Sequence, residues 1–508
     1  MPVLGIQGWR RVVLKCAHVD CFMPLQGVYH GAVPDDTADF GFEMMHTVTA
    51  HPIRVYPMDP KELTEEQIAV IFAMTSRRPE PFDEIREIVT EEKAADFHER
   101  WVLNYGHASV AEHAIIHMAV ENVSRLACDT LEDNRLASYT EKSSRYQVFE
   151  SDYYHVPAEL DGSEPLRQTF VGTCQRLFGL YQRVVEGLWK EYLPQVRSQG
   201  DNERDSGYNL RLRREATDTA RFLLPAATLT NVGVTMNARS LEHAIRKLLS
   251  AELAEEHVLG EALKDQGSKV TPTLIRHAER NDYLVETRKG QHQATAAFQA
   301  PAPSASDVTL VHHDPEAEEK VATAFLYGLS HRPYEEVRQH IRGLSVAERD
   351  RVLDTALEHL GSHDSPIREM ESAYCTFELT FDYGAYREFK RHRMQTYIPQ
   401  PATTGLGYVV PSLVEEAGFG DIFQEAMQTS DAGFRAVGDV SPQVAQYLVT
   451  HSHRRRVVAT MNLRECYHLF KLRTQPTAHF SLVAVMQQAL EQVRNVHPSL
   501  FKHLRLRT

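Results

Sequence analysis

Residues 135–146 read Arg135-Leu-Ala-Ser138-Tyr-Thr-Glu141-Lys-Ser143-Ser144-Arg145-Tyr146, and the reading of the whole chain turns on this stretch. Within a dozen positions it offers two guanidinium forks, small hydroxyls and one carboxylate. A phosphate is well served by such a set, because the fork gives paired charge-assisted donors while hydroxyls and backbone N–H groups fill the remaining oxygens. A polar turn laced with surface ion pairs would have the same composition, so the stretch alone leaves both readings open. Much later, Arg391-His392-Arg393 follows a segment, 376–381, whose polar and apolar residues alternate as in a half-buried strand. Two arginines beside a histidine suit a phosphate or an electron-rich ring, and equally a solvated basic run before a proline-rich loop.

Outward from these stretches, the chain repeats itself. DPKELTEEQIAVIFAMTSRRPEPFDEI, from Asp59, is echoed by DPEAEEKVATAFLYGLSHRPYEEV, from Asp314. GHASVAEH, from Gly106, is echoed by SHDSPIRE, from Ser362, and MNARSLEHAI, from Met236, by MNLRECYHLF, from Met461. Three echoes in one order imply a tandem duplication. The expected organisation is an extension at 1–50 with no counterpart, a first repeat at 51–286, a linker rich in Ala, Gln, Pro and Ser at 287–307, and a second repeat at 308–508. Each repeat is expected to be α+β, with helices packed on a small, mostly antiparallel sheet. Phe170, Cys174, Leu177, Tyr181, Val184 and Leu188 recur at helical spacing and predict a core-facing stripe.

The bulk numbers bound the function. A chain of 508 residues, 42% hydrophobic and 24% charged, is expected to be a soluble protein of two or three domains. A net charge of -14 argues against a nonspecific nucleic-acid binder, while a local arginine cluster can still hold a small anion. There is no apolar run of about 18 residues and no signal-like start, and six cysteines are too few for a disulfide framework. The expectation is a cytoplasmic protein without membrane or nucleic-acid partners. Cys16-Ala-His18-Val-Asp-Cys21 lacks a CxxC spacing and a second pair, so no metal is expected there. The run His451-Ser-His453-Arg-Arg-Arg456 reads as a solvated or interface face. No GxGxxG or Walker-type loop is present, so a dinucleotide would bind without a Rossmann domain.

The 135–146 stretch resembles the signature of the flavin-dependent thymidylate synthases (ThyX): Arg-His-Arg, two residues, Ser, one residue, Asn-Glu, one residue, Ser, one residue, Arg-Tyr. GHASVAEH is similar to that family's upstream element, and ARFLLP with Arg221, followed by MNARSL, to its downstream one. The departures are complementary. The first repeat has Asp133-Asn134-Arg135 in place of the triplet but keeps Glu141, Ser143 and Arg145. The second keeps Arg391-His392-Arg393 but continues with MQTYIPQPATTGLGY. The position resembling Arg221 is taken as Tyr447, and Arg368 stands where a Glu is expected. The family's catalytic arginine matches Arg473, whereas equal spacing in the first repeat lands on Leu248.

The resemblance implies reductive methylation of dUMP, with methylenetetrahydrofolate and NADPH as co-substrates and FAD as cofactor. It implies that Ser143, Ser144, Arg145 and Arg221 hold the nucleotide, that Glu141 lies between nucleotide and flavin, and that Arg473 is catalytic, favouring the deprotonated uracil N3. It assigns Arg391, His392 and Arg393 to FAD, Arg391 also to dUMP. His107, Ser109, Asn237, Arg239, Asn462, Arg464 and His468 are further flavin contacts, His468 standing where Asn is usual. It also implies a homodimer that forms a pseudo-tetramer, each site drawing on both repeats. Two alternatives stay open: a flavin-dependent pyrimidine-nucleotide enzyme with other one-carbon chemistry, and a non-catalytic nucleotide- or flavin-binding relative.

Overall fold

The computed structural model describes residues 54, 56–58, 61–104, 108–298, 302 and 305–507. The 1–50 extension, with Cys16, His18 and Cys21, lies outside them, as does His107. Two antiparallel sheets organise the rest. The first contains β1 (Ile115–Ser124), β2 (Ala137–Glu141) and β3 (Leu229–Asn237), in the order β1-β3-β2. The second contains β4 (Val308–His313), β5 (Tyr374–Asp382), β6 (Gln395–Pro399) and β7 (Arg454–Asn462), in the order β4-β5-β7-β6. The alternation read at 376–381 holds, since Phe377, Leu379 and Phe381 are buried. The predicted stripe at Phe170 to Leu188 is buried along the helix Glu164–Glu186 and the turn that follows.

The same local path occurs in both sheets. β1 ends at Ser124, whose hydroxyl accepts from Ala127 N and caps the helix Arg125–Glu132 before the chain returns as β2. β5 ends at Asp382, which caps the helix Tyr383–Phe389 before β6. Asn237 closes β3 and caps Ala238–Leu249, as Asn462 closes β7 and caps Leu463–Arg473. Each cap satisfies an otherwise unpaired helix N–H, which is why a short polar residue stands at each strand-to-helix junction. One residue breaks the parallel. β1 bulges between Val120 and Val123, with Asn122 at φ 57°, a left-handed conformation that asparagine tolerates. Ile115 opposite Asn237 therefore corresponds to Tyr374 opposite Asn462. The same offset makes Glu371, not Arg368, the counterpart of Glu112. Glu112 pairs with Arg239, and Glu371 with Arg464 at 2.7 Å.

Residues 58–508 pack as one unit. Ala226 N donates to Val449 O at 2.8 Å and His451 N donates to Leu224 O at 3.0 Å. Ala227 N to Tyr447 O and Ser452 N to Phe222 O form a second reciprocal pair around the bridge Pro225–Thr450. Reciprocity of this kind is the mark of an isologous, twofold contact, here formed within one chain. It makes Gln446, not Tyr447, the counterpart of Arg221, because Tyr447 occupies the place of Phe222. The helices Glu164–Glu186 and Gly420–Gly438 also cross closely: a Cβ on Gly433 would lie 2.5 Å from Thr173 Oγ1. The segment expected as a linker begins inside a helix, Asp282–Ala294, whose His292 lies 2.8 Å from Glu252. No helix among the described residues is long and apolar enough to cross a membrane.

Where the helices Arg125–Glu132 and Tyr383–Phe389 meet, charges are buried. Asp129 accepts from Tyr383 Oη at 2.6 Å and pairs with Lys390 at 3.0 Å and Arg455 at 3.4 Å, while Glu132 lies 3.6 Å from Lys390. Burial alone would lower the Lys390 pKa, but Asp129, Tyr386 and Glu132 raise it well above its usual range. At equivalent positions the two helices carry opposite charge: Asp129 and Glu132 against Arg387 and Lys390. Removing one member strands a buried charge, which costs about 3–5 kcal/mol. Lys390→Ala is therefore expected to lower the thermal midpoint sharply, and Asp129→Lys combined with Lys390→Asp to recover part of the loss; calorimetry of the three proteins checks this.

Candidate functional site

β2 delivers Glu141 at its last position, and the chain then leaves the sheet through Lys142 to Tyr146. The Glu141 side chain is only 3% exposed, held between Arg125 at 2.6 Å and Arg387. Burial pushes its pKa up, but the two guanidiniums outweigh this and hold it at about 2, so it is a carboxylate at any working pH. Arg387 comes from the second sheet's helix, so the contact joins the two halves.

The loop beyond Glu141 is pinned by its backbone. Arg145 N donates to Ser143 Oγ at 3.2 Å, and Thr217 Oγ1 donates to Arg145 O at 2.6 Å. Thr217 lies on the helix Asp205–Ala220, which ends at the turn carrying Arg221. Arg221 pairs with Asp218 at 2.8 Å and reaches Ser144 Oγ at 3.5 Å. Asp218 also lies 3.2 Å from Arg145. The other end of the Arg145 fork meets Glu388 at 3.0 Å, and Glu388 in turn meets Arg473 at 3.3 Å. Arg473 Nε donates to His392 Nε2 at 2.9 Å, and His392 Nδ1 lies 3.0 Å from Glu465. The His392 and His468 rings stand edge to face at 5.3 Å.

An unbroken chain of contacts thus runs from Arg221 and Ser144 through Arg145 to Arg473, His392 and His468. Arg391 is exposed and forms no ion pair or hydrogen bond among the described residues, yet it is close by. Burial first, then the charges of Arg391 and Arg145, draw the Arg473 pKa down against the pull of Glu388. Arg393 turns away and donates to the backbone oxygens of Ala137 and Arg135. Other candidates stay outside the chain of contacts. The side-chain oxygens of Asn237 and Asn462 accept from Ser240 N and Glu465 N as helix caps, Arg239 and Arg464 are taken by Glu112 and Glu371, and Ser109 is exposed.

Several contributors were not expected. Arg387 and Glu388 lie four and three residues ahead of the triplet's start, at the end of the helix Tyr383–Phe389, and their closeness in sequence to Arg391 was the signal available. The run at His451–Arg456, expected to be a solvated or interface face, is largely buried against the first repeat: His451 and His453 are each 2% exposed and Arg455 9%. Along β7 every second side chain, Arg455, Val457, Ala459 and Met461, is buried. Arg455 spends its charge on Asp129 and on the Tyr386 ring, 4.3 Å away. His451 Nδ1 faces Arg221 O at 3.2 Å and its Nε2 has no partner, while Nε2 of the buried His479 has no hydrogen bond and lies 3.6 Å from Asp382. Burial, followed by Arg387, Arg125 and Arg221, depresses the His451 pKa well below normal; burial, then Arg221 and Arg145, does the same for His479. Neutral acceptor nitrogens therefore stand among guanidiniums, of which Arg387 has an Nε without a hydrogen bond and Arg145 an Nε whose neighbour is the Asp218 carboxylate at 3.2 Å. Buried polar atoms without partners are rare in folded chains, and a cluster of them fits a ligand that is anionic and rich in donors and acceptors.

The twofold counterpart of this site has lost those groups. Pro399 stands for Glu141 and Gln446 for Arg221, and the chain after Pro399 reads Gln400-Pro401-Ala402-Thr403 where the other copy has Lys142-Ser143-Ser144-Arg145. A cavity of about 310 Å³ remains there, lined among others by Asp129, Asp133, Lys247, Pro399 and Gln446. Asp133 and Lys247 pair across it at 3.4 Å.

Comparison with known proteins agrees with the duplication. The profile of the thymidylate synthase complementing protein family matches twice, at residues 61–273 and 309–499. A UPF0159 protein of Chlamydia muridarum (strain MoPn / Nigg) is 31% identical over 427 residues, spanning 80% of either chain. A flavin-dependent thymidylate synthase of Clostridium tetani is 27% identical over 214 residues, which is 42% of this chain but 82% of the synthase. The crystal structure of ThyX from Helicobacter pylori complexed with FAD and dUMP aligns over 40% of this chain and 100% of its own, with 15% identity and a TM-score of 0.30. Since the matched segments cover most of the sequence and repeat one profile, the chain belongs to the thymidylate synthase complementing protein family, that of the flavin-dependent thymidylate synthases (ThyX), in a tandem-duplicated form.

Proposed function

We propose that this protein is an FAD-dependent thymidylate synthase that methylates dUMP to dTMP with methylenetetrahydrofolate and NADPH, in one composite site per chain built from two tandem ThyX-like units. The observation that carries this reading is the ion-pair chain Arg145–Glu388–Arg473, which joins the phosphate-type cluster of one unit to the arginine of the other. Ser143, Ser144, Arg145 and Arg221 hold the nucleotide's phosphate and sugar, with His451 and His479 as neutral acceptors beside them. Arg473 keeps its charge and stabilises negative charge developing on the pyrimidine ring. Glu141, clamped by Arg125 and Arg387, does not exchange protons; it sets the position of the two guanidiniums that face the ligand space.

The residues fit a flavin dinucleotide. Arg391 is an unpaired, exposed guanidinium at the rim, Arg387 Nε lacks a hydrogen bond, and His468 is exposed beside them. FAD, when bound, supplies the hydride. Arg391 and His468 would hold it from the second unit, with His392 behind them, while Arg393 braces the backbone at Arg135 and Ala137. His107, Ser109, Asn237 and Arg239 from the first unit, and Asn462 and Arg464 from the second, complete the flavin contacts in a homodimer of four units, where one chain's residues reach the other's site. The counterpart site, with Pro399, Thr403, Gln446 and Asp133 in place of its donors, takes no nucleotide.

Arg145→Ala and Arg391→Ala are each expected to reduce dTMP formation at least about tenfold, the loss that follows when a hydrogen bond to a charged group is removed. Full activity in either variant would overturn the composite site. Titration of the purified protein should saturate at one dUMP and one FAD per chain, and a stoichiometry of two would show that the counterpart site is live. Growth of a thymidine-requiring strain carrying this gene tests the reaction itself.

A further inference from the structure

His392 is buried and both its ring nitrogens are used. Arg473 Nε carries a hydrogen and can only donate, so His392 Nε2 must be the unprotonated nitrogen at 2.9 Å. The proton of the neutral ring therefore sits on Nδ1, which faces Glu465 Oε1 at 3.0 Å. Burial, then the charges of Arg473 and His468, keeps the His392 pKa well below normal, so the neutral form persists. Arg473 is thus held at two nitrogens, by His392 at Nε and by Glu388 at Nη1, and its Nη2 is left without a partner among the described residues. Glu465 is itself placed by the helix cap, since its backbone N donates to Asn462 Oδ1 at 2.8 Å.

We propose that Glu465 is a positioning residue for Arg473, acting through His392: its carboxyl fixes the imidazole as the Nδ1–H tautomer, and the free Nε2 then fixes the plane of the guanidinium so that Nη2 faces the ligand. This rests on the reading that Arg473 works on the pyrimidine ring. The contact asks only for an acceptor. Burial raises the Glu465 pKa to about 7, and either protonation state offers a lone pair to Nδ1–H. A glutamine oxygen can replace it, and an aliphatic side chain cannot.

The test compares Glu465→Gln with Glu465→Leu in the full-length protein. Glu465→Leu should lower kcat on the order of 10- to 100-fold, as small misplacements of a catalytic group do, with a smaller change in the KM for dUMP. Glu465→Gln should rescue kcat to within about threefold of the parent, an allowance well below one hydrogen bond to a charged group. Undiminished kcat in Glu465→Leu, or equal damage in both variants, overturns the proposal. A second measurement needs no turnover. Nitrogen NMR of histidine-labelled protein, with the His392 signal assigned by its loss in His392→Gln, should show an Nδ1-protonated ring near neutral pH. A locked Nδ1–H ring in a protein without synthase activity would uphold the positioning and sink the thymidylate reading. An active enzyme whose His392 carries its proton on Nε2 would sink the positioning alone.

Discussion

The structure depends on a clasp of charges taken out of water between two copies of the same strand-helix unit. Three carboxylates, Asp129, Glu132 and Glu141, face four cations, Arg125, Arg387, Lys390 and Arg455, and each of these side chains is about nine-tenths buried or more. Ions in such surroundings cost several kcal/mol each to desolvate and are tolerated only when partnered. The clasp is therefore a constraint on which surfaces can meet. A first unit against another first unit would set Asp129 and Glu132 against their own kind, and two second units would set Arg387 and Lys390 together. Only unlike units satisfy the charges, a specificity that arises as much from repulsion in the wrong pairs as from attraction in the right one.

Once unlike pairing is enforced, the two interfaces that a twofold arrangement creates need not stay equivalent. One keeps guanidiniums and hydroxyls from the first unit opposite Arg391 and the Arg473 helix of the second. The other has exchanged its donors for prolines, a glutamine and an internal Asp133–Lys247 pair. The reciprocal backbone bonds around Pro225 and Thr450 show that the frame is still twofold. The divergence lies in side chains, where losses at one interface leave the other untouched.

Electrostatics inside the retained interface are set by burial as much as by residue type. His392, His451 and His479 are all held neutral, because water is excluded and arginines stand beside them. Histidine is thus used for its unprotonated nitrogen, and permanent positive charge is left to arginine, which burial cannot readily discharge. Carboxylates divide similarly: Glu141, with two guanidiniums, stays ionised, whereas Glu465, with one neutral imidazole, has its pKa raised.

Local order was legible in the sequence. The alternation at 376–381, the stripe from Phe170 to Leu188 and the repeated motifs all reflect short-range periodicity, and the complement of arginines and serines at 135–146 could be read as phosphate-binding chemistry before any fold was known. Two alignments between the copies failed where a few residues of offset mattered. The strand register moved the counterpart of Glu112 from Arg368 to Glu371 and the Pro225–Thr450 axis moved that of Arg221 from Tyr447 to Gln446, while the run at 451–456, read as a solvated or interface face, is buried where the two copies meet. The residue types and their spacing determined the elements, the duplication and the chemical inventory, because those follow from backbone periodicity and side-chain chemistry within a few turns. Which copies face each other, which carboxylates are clamped and which histidines lose their charge was decided only in the tertiary structure, because these depend on groups more than 200 residues apart sharing one water-free space.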